Sequence, residues 1–255
     1  MNVINELDLA IVDKAKKSWR EHHPKTGHSV TDFSFEEDGK YFGSCLRKQY
    51  YDWKEVEPLW ETITPTRCYA REFGSYVQKF VEDLLALRGF LIQKEVKLPP
   101  IKIEGLTKPL HGRLDDILSR ADTMDRTMVE IKSCHGRKFN SKQFGIMYHG
   151  PTRENVYQLG MYKKYFPETI QNHHLIYFSR EDFNRRDFVD TENMWVPTEF
   201  DFKYWVMLED YLANKVLPKR TYRANADKEC PDFPCKKWCD YYTVCFEVHK
   251  DLDGD

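Results

Sequence analysis

Residues 111–132 read H-G-R-L-D-D-I-L-S-R-A-D-T-M-D-R-T-M-V-E-I-K, and the fold turns on how this stretch is read. Leu114, Ile117 and Leu118 lie on one side of a polar turn, and Met128, Val129 and Ile131 on the other. Apolar and β-branched residues flanking a polar turn predict two short strands. Side chains alternate along a strand, so Glu130 and Lys132 share one face while Val129 and Ile131 share the opposite one. Neighbouring strands run about 4.8 Å apart. Asp115 on the first strand can therefore meet Glu130 and Lys132 on the second.

Such a meeting has chemical use. The carboxylates of Asp115 and Glu130, with the backbone carbonyl of Ile131, offer oxygens to a hard cation such as Mg²⁺ or Mn²⁺. A bound cation lowers the pKa of its water and makes a nucleophile at neutral pH. Lys132 beside it can orient that water or offset charge developing on a phosphate. The plainer alternative is a surface hairpin carrying a solvated Glu–Lys pair.

Working outward, residues 3–20 predict a helix with Ile4, Leu7, Ile11 and Val12 on one side, ending before a loop that contains His22 and His23. Residues 28–40 are polar, with scattered aromatics and turn signals. In the G-S-C-L-R-K-Q-Y run at 43–50, Ser44 is a candidate cap for a helix carrying Leu46, Tyr50 and Trp53. Cys45 stands at that helix opening, where amide dipoles favour a thiolate. Pro65 precedes a helix from about Arg67 to Arg88, in which Phe73, Val77, Phe80, Val81, Leu84 and Leu85 recur at helical spacing. A strand over Phe90–Leu98 follows, then an extended piece at Ile101 and Ile103.

Residues 134–151 are expected as a loop in which Arg137, Lys138, Lys142 and His149 could meet phosphates and Phe139, Phe144 and Tyr148 could stack on bases. Thr152 caps a helix that stops before Pro167, with Val156, Leu159 and Phe166 inward and Gln158 and Tyr162 four residues apart on one face. A strand over 173–179 and a helix over 198–216 starting at Thr198 complete the pattern. Strands and helices mix, as in an α/β core.

The chain has 255 residues, enough for one sizeable core. Acidic groups outnumber basic ones by 41 to 39, so no overall positive surface advertises nucleic acid, although a local groove can still be positive. No apolar run approaches the roughly 18 residues of a membrane span, and M-N-V-I-N-E-L-D-L-A lacks the apolar segment of a signal peptide. A cytoplasmic or other reducing intracellular location is expected. Of seven cysteines, Cys230, Cys235, Cys239 and Cys245 crowd the C-terminal end, at spacings of four, three and five intervening residues. Without an export signal such crowding points to metal ligation. Cys45 with Cys235, Cys239 and Cys245 would form a structural clasp, with Cys230 as a substitute ligand, holding zinc or an iron–sulfur cluster. Cys68 and Cys134 have no comparable pattern.

Taken together, Asp115, the Glu130-Ile131-Lys132 triplet, Gln158 with Tyr162, the 43–50 run and the cysteines from 235 to 245 resemble the PD-(D/E)XK nuclease superfamily. The resemblance covers about residues 40–246 and is greatest to the RecB-like, Cas4-like branch with an iron–sulfur clasp. It implies a mixed central β-sheet flanked by helices, the restriction-endonuclease-like core. It implies three regions: 1–66, helical and contributing one cluster cysteine; 67–195, the nuclease core; and 196–255, a helix and the clasp. It implies Mg²⁺ or Mn²⁺ on Asp115 and Glu130, hydrolysis assisted by Lys132, substrate handling by Gln158 and Tyr162, and a 4Fe-4S cluster on Cys45, Cys235, Cys239 and Cys245. The implied activity is a DNA exonuclease acting on single-stranded or tailed ends in recombination, repair or DNA processing. Since the chain has no G-x-x-x-x-G-K-[ST] loop, unwinding would come from a helicase or recombination partner. Two positions depart from the pattern. Gln78 stands where a histidine is usual, with Glu72 as a conceivable substitute, and Cys235 and Cys239 are separated by three residues instead of two. The rival expectations are a catalytically inactive nucleic-acid-binding protein of this fold and a zinc-stabilised interaction protein.

Overall fold

The computed structural model describes residues 3–119, 125–166, 170, 172–190, 196–197, 199–218 and 239–245. In chain order the helices are α1 (Val3–Glu21), α2 (Leu46–Trp53), α3 (Pro65–Leu87), α4 (Gly136–Asn140), α5 (Ile146–His149), α6 (Arg153–Tyr165) and α7 (Lys203–Asn214). The strands are β1 (His28–Ser29), β2 (Ser34–Glu37), β3 (Lys40–Gly43), β4 (Leu91–Lys97), β5 (Leu110–His111), β6 (Arg113–Ser119), β7 (Arg126–Cys134), β8 (Asn172–Ser179) and β9 (Arg185–Val189).

The central sheet runs β4-β6-β7-β8-β9. Only β7 and β8 are parallel, with α6 in the connection between them; the other neighbours are antiparallel. The architecture is thus mixed α/β, with a mixed central sheet flanked by helices. Two small sheets are added: β1 beside β5, and the β2–β3 hairpin. Asp38 and Gly39 both have positive φ at the hairpin's two-residue turn, the backbone that an Asp-Gly pair adopts at little cost.

The alternation expected for β7 holds. Val129 and Ile131 pack with Val77 and Val81 of α3 on one face of the sheet. Met128 instead joins the larger core with Leu159 and Tyr162 of α6, Trp205 and Leu208 of α7, and Leu46 and Tyr51 of α2. That core also takes Val30, Phe33, Tyr241 and Val244, so segments from both ends of the chain close over the α6 side of the sheet. A third cluster joins Ile11, Val12 and Trp19 of α1 to Trp60, Ile63 and Cys68.

Several local expectations change. Ile4 and Leu7 are exposed, because α1 turns Ile11, Val12, Ala15 and Trp19 inward instead. On α3 the sheet buries Val77 and Val81 and α1 helps cover Cys68, while Phe73, Phe80 and Leu84 face out, because the sheet covers one stripe of that helix. The stretch after β7 is not a plain loop: α4 and α5 form there, with Phe139 and Ile146 fully buried. Cys45, not Ser44, is the residue before α2. The Ser44 carbonyl accepts instead from Ser34 Oγ, the Tyr41 hydroxyl and Gln49 Nε2. The last helix starts at Lys203, whose N–H donates to Asp201 Oδ1 at 2.9 Å. Phe200 and Phe202 precede it and pack around Phe33. Thr198 lies outside the described residues. No described helix is long and apolar enough to cross a membrane.

Candidate active site

The β6–β7 ladder pairs Asp116 with Val129 and Ile117 with Met128. Continued by one residue, that register sets Asp115 opposite Glu130, with side chains on the same face. At this point a carboxylate takes over from the backbone: Ile131 N–H donates to Asp115 Oδ2 at 2.9 Å. Asp115 is thereby fixed beside β7 while it stays partly accessible.

Glu130 is wholly buried. Its Oε1 receives Lys132 Nζ in a close ion pair, and Gln158 Nε2 at 2.7 Å. Its Oε2 is buried with no hydrogen-bond partner among the described residues. Burial pushes the Glu130 carboxyl up to about 7, against the stabilising Lys132 charge, and the negative charge of Asp115 adds to the rise. Burial also works against a charged Lys132, but the carboxylates of Glu130 and Asp115 outweigh it, so its pKa lies above the usual lysine range.

Behind Glu130 stands α6. Gln158 also donates to the Tyr162 hydroxyl at 3.3 Å, and that hydroxyl donates to the Arg113 carbonyl at 2.7 Å. Tyr162 is fully buried, and burial drives its pKa well above that of free tyrosine. These two side chains hold Glu130 in place; the Tyr162 hydroxyl is used inside the protein. The start of α6 is pinned by Tyr177 of β8, whose hydroxyl accepts from Thr152 N–H at 3.1 Å and Asn155 Nδ2 at 2.6 Å. Tyr177 is in register with Lys132. It was not among the residues singled out from sequence; its only signal there was a polar-tipped aromatic between the apolar Ile176 and Phe178.

In the segment after β7, Arg137 lies over the ring of Phe144, and Phe144 and Tyr148 are exposed. Phe139 is core, and His149 bonds the Lys142 carbonyl. Arg180 is tied to α3 through the Ala70 carbonyl. Glu72 does not join the acidic pair: it pairs with Lys14 of α1. The neighbouring part of α3 lies against the Val129–Ile131 face, and a Cβ at Gly74 would meet Ser133 Oγ at 3.5 Å.

At the start of α2, Cys45 is near enough to Cys239 for its charge to raise the Cys239 pKa. Burial, the larger cause, brings Cys239 up to about 12, and Lys48 acts in the opposite sense. The buried Arg47 donates to Cys245 Sγ at 3.8 Å and to the Pro218 carbonyl at 2.7 Å. Cys230 and Cys235 lie outside the described residues. Cys68 and Cys134 are buried elsewhere. Among the described residues, no group of three or more His, Cys, Asp or Glu is arranged to hold a metal ion.

No protein-family model matches the chain, and no curated protein matches it. Among solved structures, the chain is similar to the protein of the "Crystal structure of SSO0001", with a TM-score of 0.57 over 96% of both chains at 18% identity. At that identity the similarity is one of fold.

Proposed function

We propose that this protein is a Mg²⁺- or Mn²⁺-dependent DNA nuclease with the restriction-endonuclease-like core of the PD-(D/E)XK superfamily, acting as an exonuclease on single-stranded or tailed ends. The observation that carries the reading is the junction of Asp115, Glu130 and Lys132 on one face of β6 and β7. A buried carboxylate with one oxygen unpartnered is costly unless a cation or proton satisfies it. Glu130 Oε2 is such an oxygen, next to the negative charge of Asp115. Both carboxylates suit a hard cation, and Asp115 and Glu130 would hold it, with the Ile131 carbonyl as a further donor.

When bound, the cation supplies Lewis acidity and an acidified water for attack on a phosphodiester. Lys132 contributes a fixed positive charge where the phosphorane gains negative charge. Gln158 holds Glu130 in the deprotonated, ligating orientation, as outer-shell partners do. Tyr162 in turn holds Gln158. Arg137, Phe144 and Tyr148 offer charge and exposed rings to a flexible strand. The partners in this reading are DNA with a free end and a helicase or recombination factor that exposes it.

The cysteines support a second, structural cofactor. Cys45 and Cys239 are neighbours at the start of α2, and Arg47 of that helix reaches Cys245 Sγ; burial penalises a free Cys239 thiolate, and ligation to iron or zinc would relieve that penalty. With Cys235 they would supply the four sulfurs of a 4Fe-4S cluster.

Anaerobically purified protein, incubated with Mn²⁺ or Mg²⁺ and end-labelled circular, blunt, 5′-tailed and 3′-tailed DNA, tests the activity. Cleavage of tailed or single-stranded ends, abolished in Asp115→Asn, is expected. Wild-type rates in Asp115→Asn would defeat the assignment.

A further inference from the structure

Gln158 also lines a cavity of about 270 Å³. Its floor is Val30, Phe33 and Phe35, all buried, and its rim carries Thr31, Ser44, Glu154 and Asn155. A site of about 150 Å³ accommodates benzene, so this one admits a ring system of nucleobase size. Gln158 belongs both to this wall and to the hydrogen bond with Glu130 Oε1 at 2.7 Å. A ring seated here is therefore one side chain away from the acidic pair.

The polar groups of the wall have a definite sense. A carboxylate only accepts, so Gln158 must present its NH₂ to Glu130. Its carbonyl oxygen is left over, with no hydrogen bond among the described residues. Asn155 points its NH₂ at the Tyr177 hydroxyl, which takes one of its two N–H groups. Glu154 is exposed in the first turn of α6 and is an acceptor when ionised. The cavity thus combines an apolar aromatic floor with a rim on which the Gln158 carbonyl oxygen and the Glu154 carboxylate only accept, while the Thr31 and Ser44 hydroxyls can serve either way.

We infer that this cavity is a base subsite: it takes one unpaired nucleobase bearing an exocyclic amine, next to the phosphodiester to be cut. The inference rests on the nuclease reading above. Adenine, cytosine and guanine each present an NH₂ to the acceptor rim, whereas thymine offers only its ring N–H. A base held in the cavity cannot be paired, so the subsite also selects single strands or frayed ends.

The probe is a set of end-labelled thymidine oligonucleotides, each with a single position changed to adenosine, cytidine or an abasic residue, incubated with the intact protein and Mn²⁺. Cleavage at one bond adjacent to the changed position is expected to be fastest with the amine-bearing bases, intermediate with thymine and slowest at the abasic residue. The span from fastest to slowest should be about ten- to hundredfold, the range set by stacking and hydrogen bonding to one base. Thr31→Trp, which fills the cavity from its rim, should cut the adenosine oligonucleotide as slowly as the wild type cuts the abasic one. Glu154→Ala should narrow the gap between adenosine and thymidine. Equal cleavage of abasic and intact oligonucleotides by the wild-type protein overturns the base subsite and leaves the nuclease standing. No Mn²⁺-dependent cleavage of any oligonucleotide overturns both.

Discussion

Gln158 Nε2 lies 2.7 Å from Glu130 Oε1, which ties the middle of α6 to a strand it covers. The bond occupies one oxygen of a wholly buried carboxylate and leaves the other without a partner. Its consequence is orientation: Glu130 cannot rotate without losing both Gln158 and Lys132. Replacing Gln158 with Leu should keep the fold and cost about 10- to 100-fold in metal affinity or turnover, the usual penalty for removing an outer-shell partner. The check is the Mn²⁺ concentration dependence of cleavage, beside a thermal melt. Unchanged metal dependence would mean that Gln158 plays no part in holding Glu130.

Acid should loosen the protein around His28. This ring is buried between Trp53 and Trp205 and bonds Glu209 at 2.8 Å through Nε2. Burial lowers its pKa from 6.5, and Glu209 offsets only part of that. A folded pKa below the unfolded one gives stability that is present above about pH 6.5 and lost as pH falls through the lower value. Burial also opposes ionisation of Glu209, but the Thr107 N–H, the His28 ring and the Lys108 N–H outweigh it, leaving its pKa below 4.5. That contribution is present above about pH 4.5 and lost as pH falls through the depressed value. Both groups therefore destabilise the fold in the same direction. Melting temperatures measured from pH 8 to pH 4 should fall, and Glu209→Gln should flatten the lower part of the curve. It should also cost about 1.5–3 kcal/mol near pH 7, the range for hydrogen bonds to a charged group.

How much of this could be read in advance depends on whether local pattern or distant packing decides each element. Within β7 the stretch Val129–Lys132 alternates apolar with charged, and its two faces meet different helices, so the placement of Glu130 and Lys132 followed from period. Asp115 was legible for the same reason, one strand away. The roles of Gln158 and Tyr162 were less so. Their shared helix face could be seen, but that Tyr162 would be consumed by the Arg113 carbonyl depends on where β6 passes. The helices α4 and α5, of five and four residues, are too short to show a period, so basic residues and rings there looked like loop. The start of α7 was placed early, at Thr198, whereas the helix begins at Lys203. Phe200 and Phe202 are instead drawn to Phe33, a contact between residues far apart in sequence. The walls of the base cavity come from 30–44 and α6, and nothing in either stretch alone brings them together.

Removing the sulfurs of the proposed cluster should separate stability from chemistry. Cys45→Ser and Cys239→Ser should each yield protein without iron absorption near 400 nm and with a lower melting temperature, as expected when metal ligation contributes folding energy. Asp115→Asn should keep its iron. Iron and sulfide assays with absorption spectra of the anaerobic protein decide this. Full iron content in Cys45→Ser would remove that residue from the ligand set, and zinc in place of iron would favour a zinc clasp.

Gly112 offers a test of the link between packing and the acidic pair. It lies between β5 and β6, one residue before the Arg113 carbonyl that receives the Tyr162 hydroxyl. A Cβ there would come within 2.5 Å of Leu98 Cδ1 and 2.9 Å of Tyr162 Cε1. Both neighbours are buried, so neither can swing into solvent. Overpacking of this kind costs about 1–3 kcal/mol. In Gly112→Ala the Tyr162 ring is the part displaced toward Gln158, so activity should fall more than the loss of stability explains at temperatures where the protein remains folded. Shortening the other partner is the control. Leu98→Ala alone opens space in the core at a cost of about 2–5 kcal/mol, and in combination with Gly112→Ala it should restore part of the cleavage rate. If Gly112→Ala melts lower but cuts at the wild-type rate, Tyr162 does not transmit position to Gln158 and Glu130.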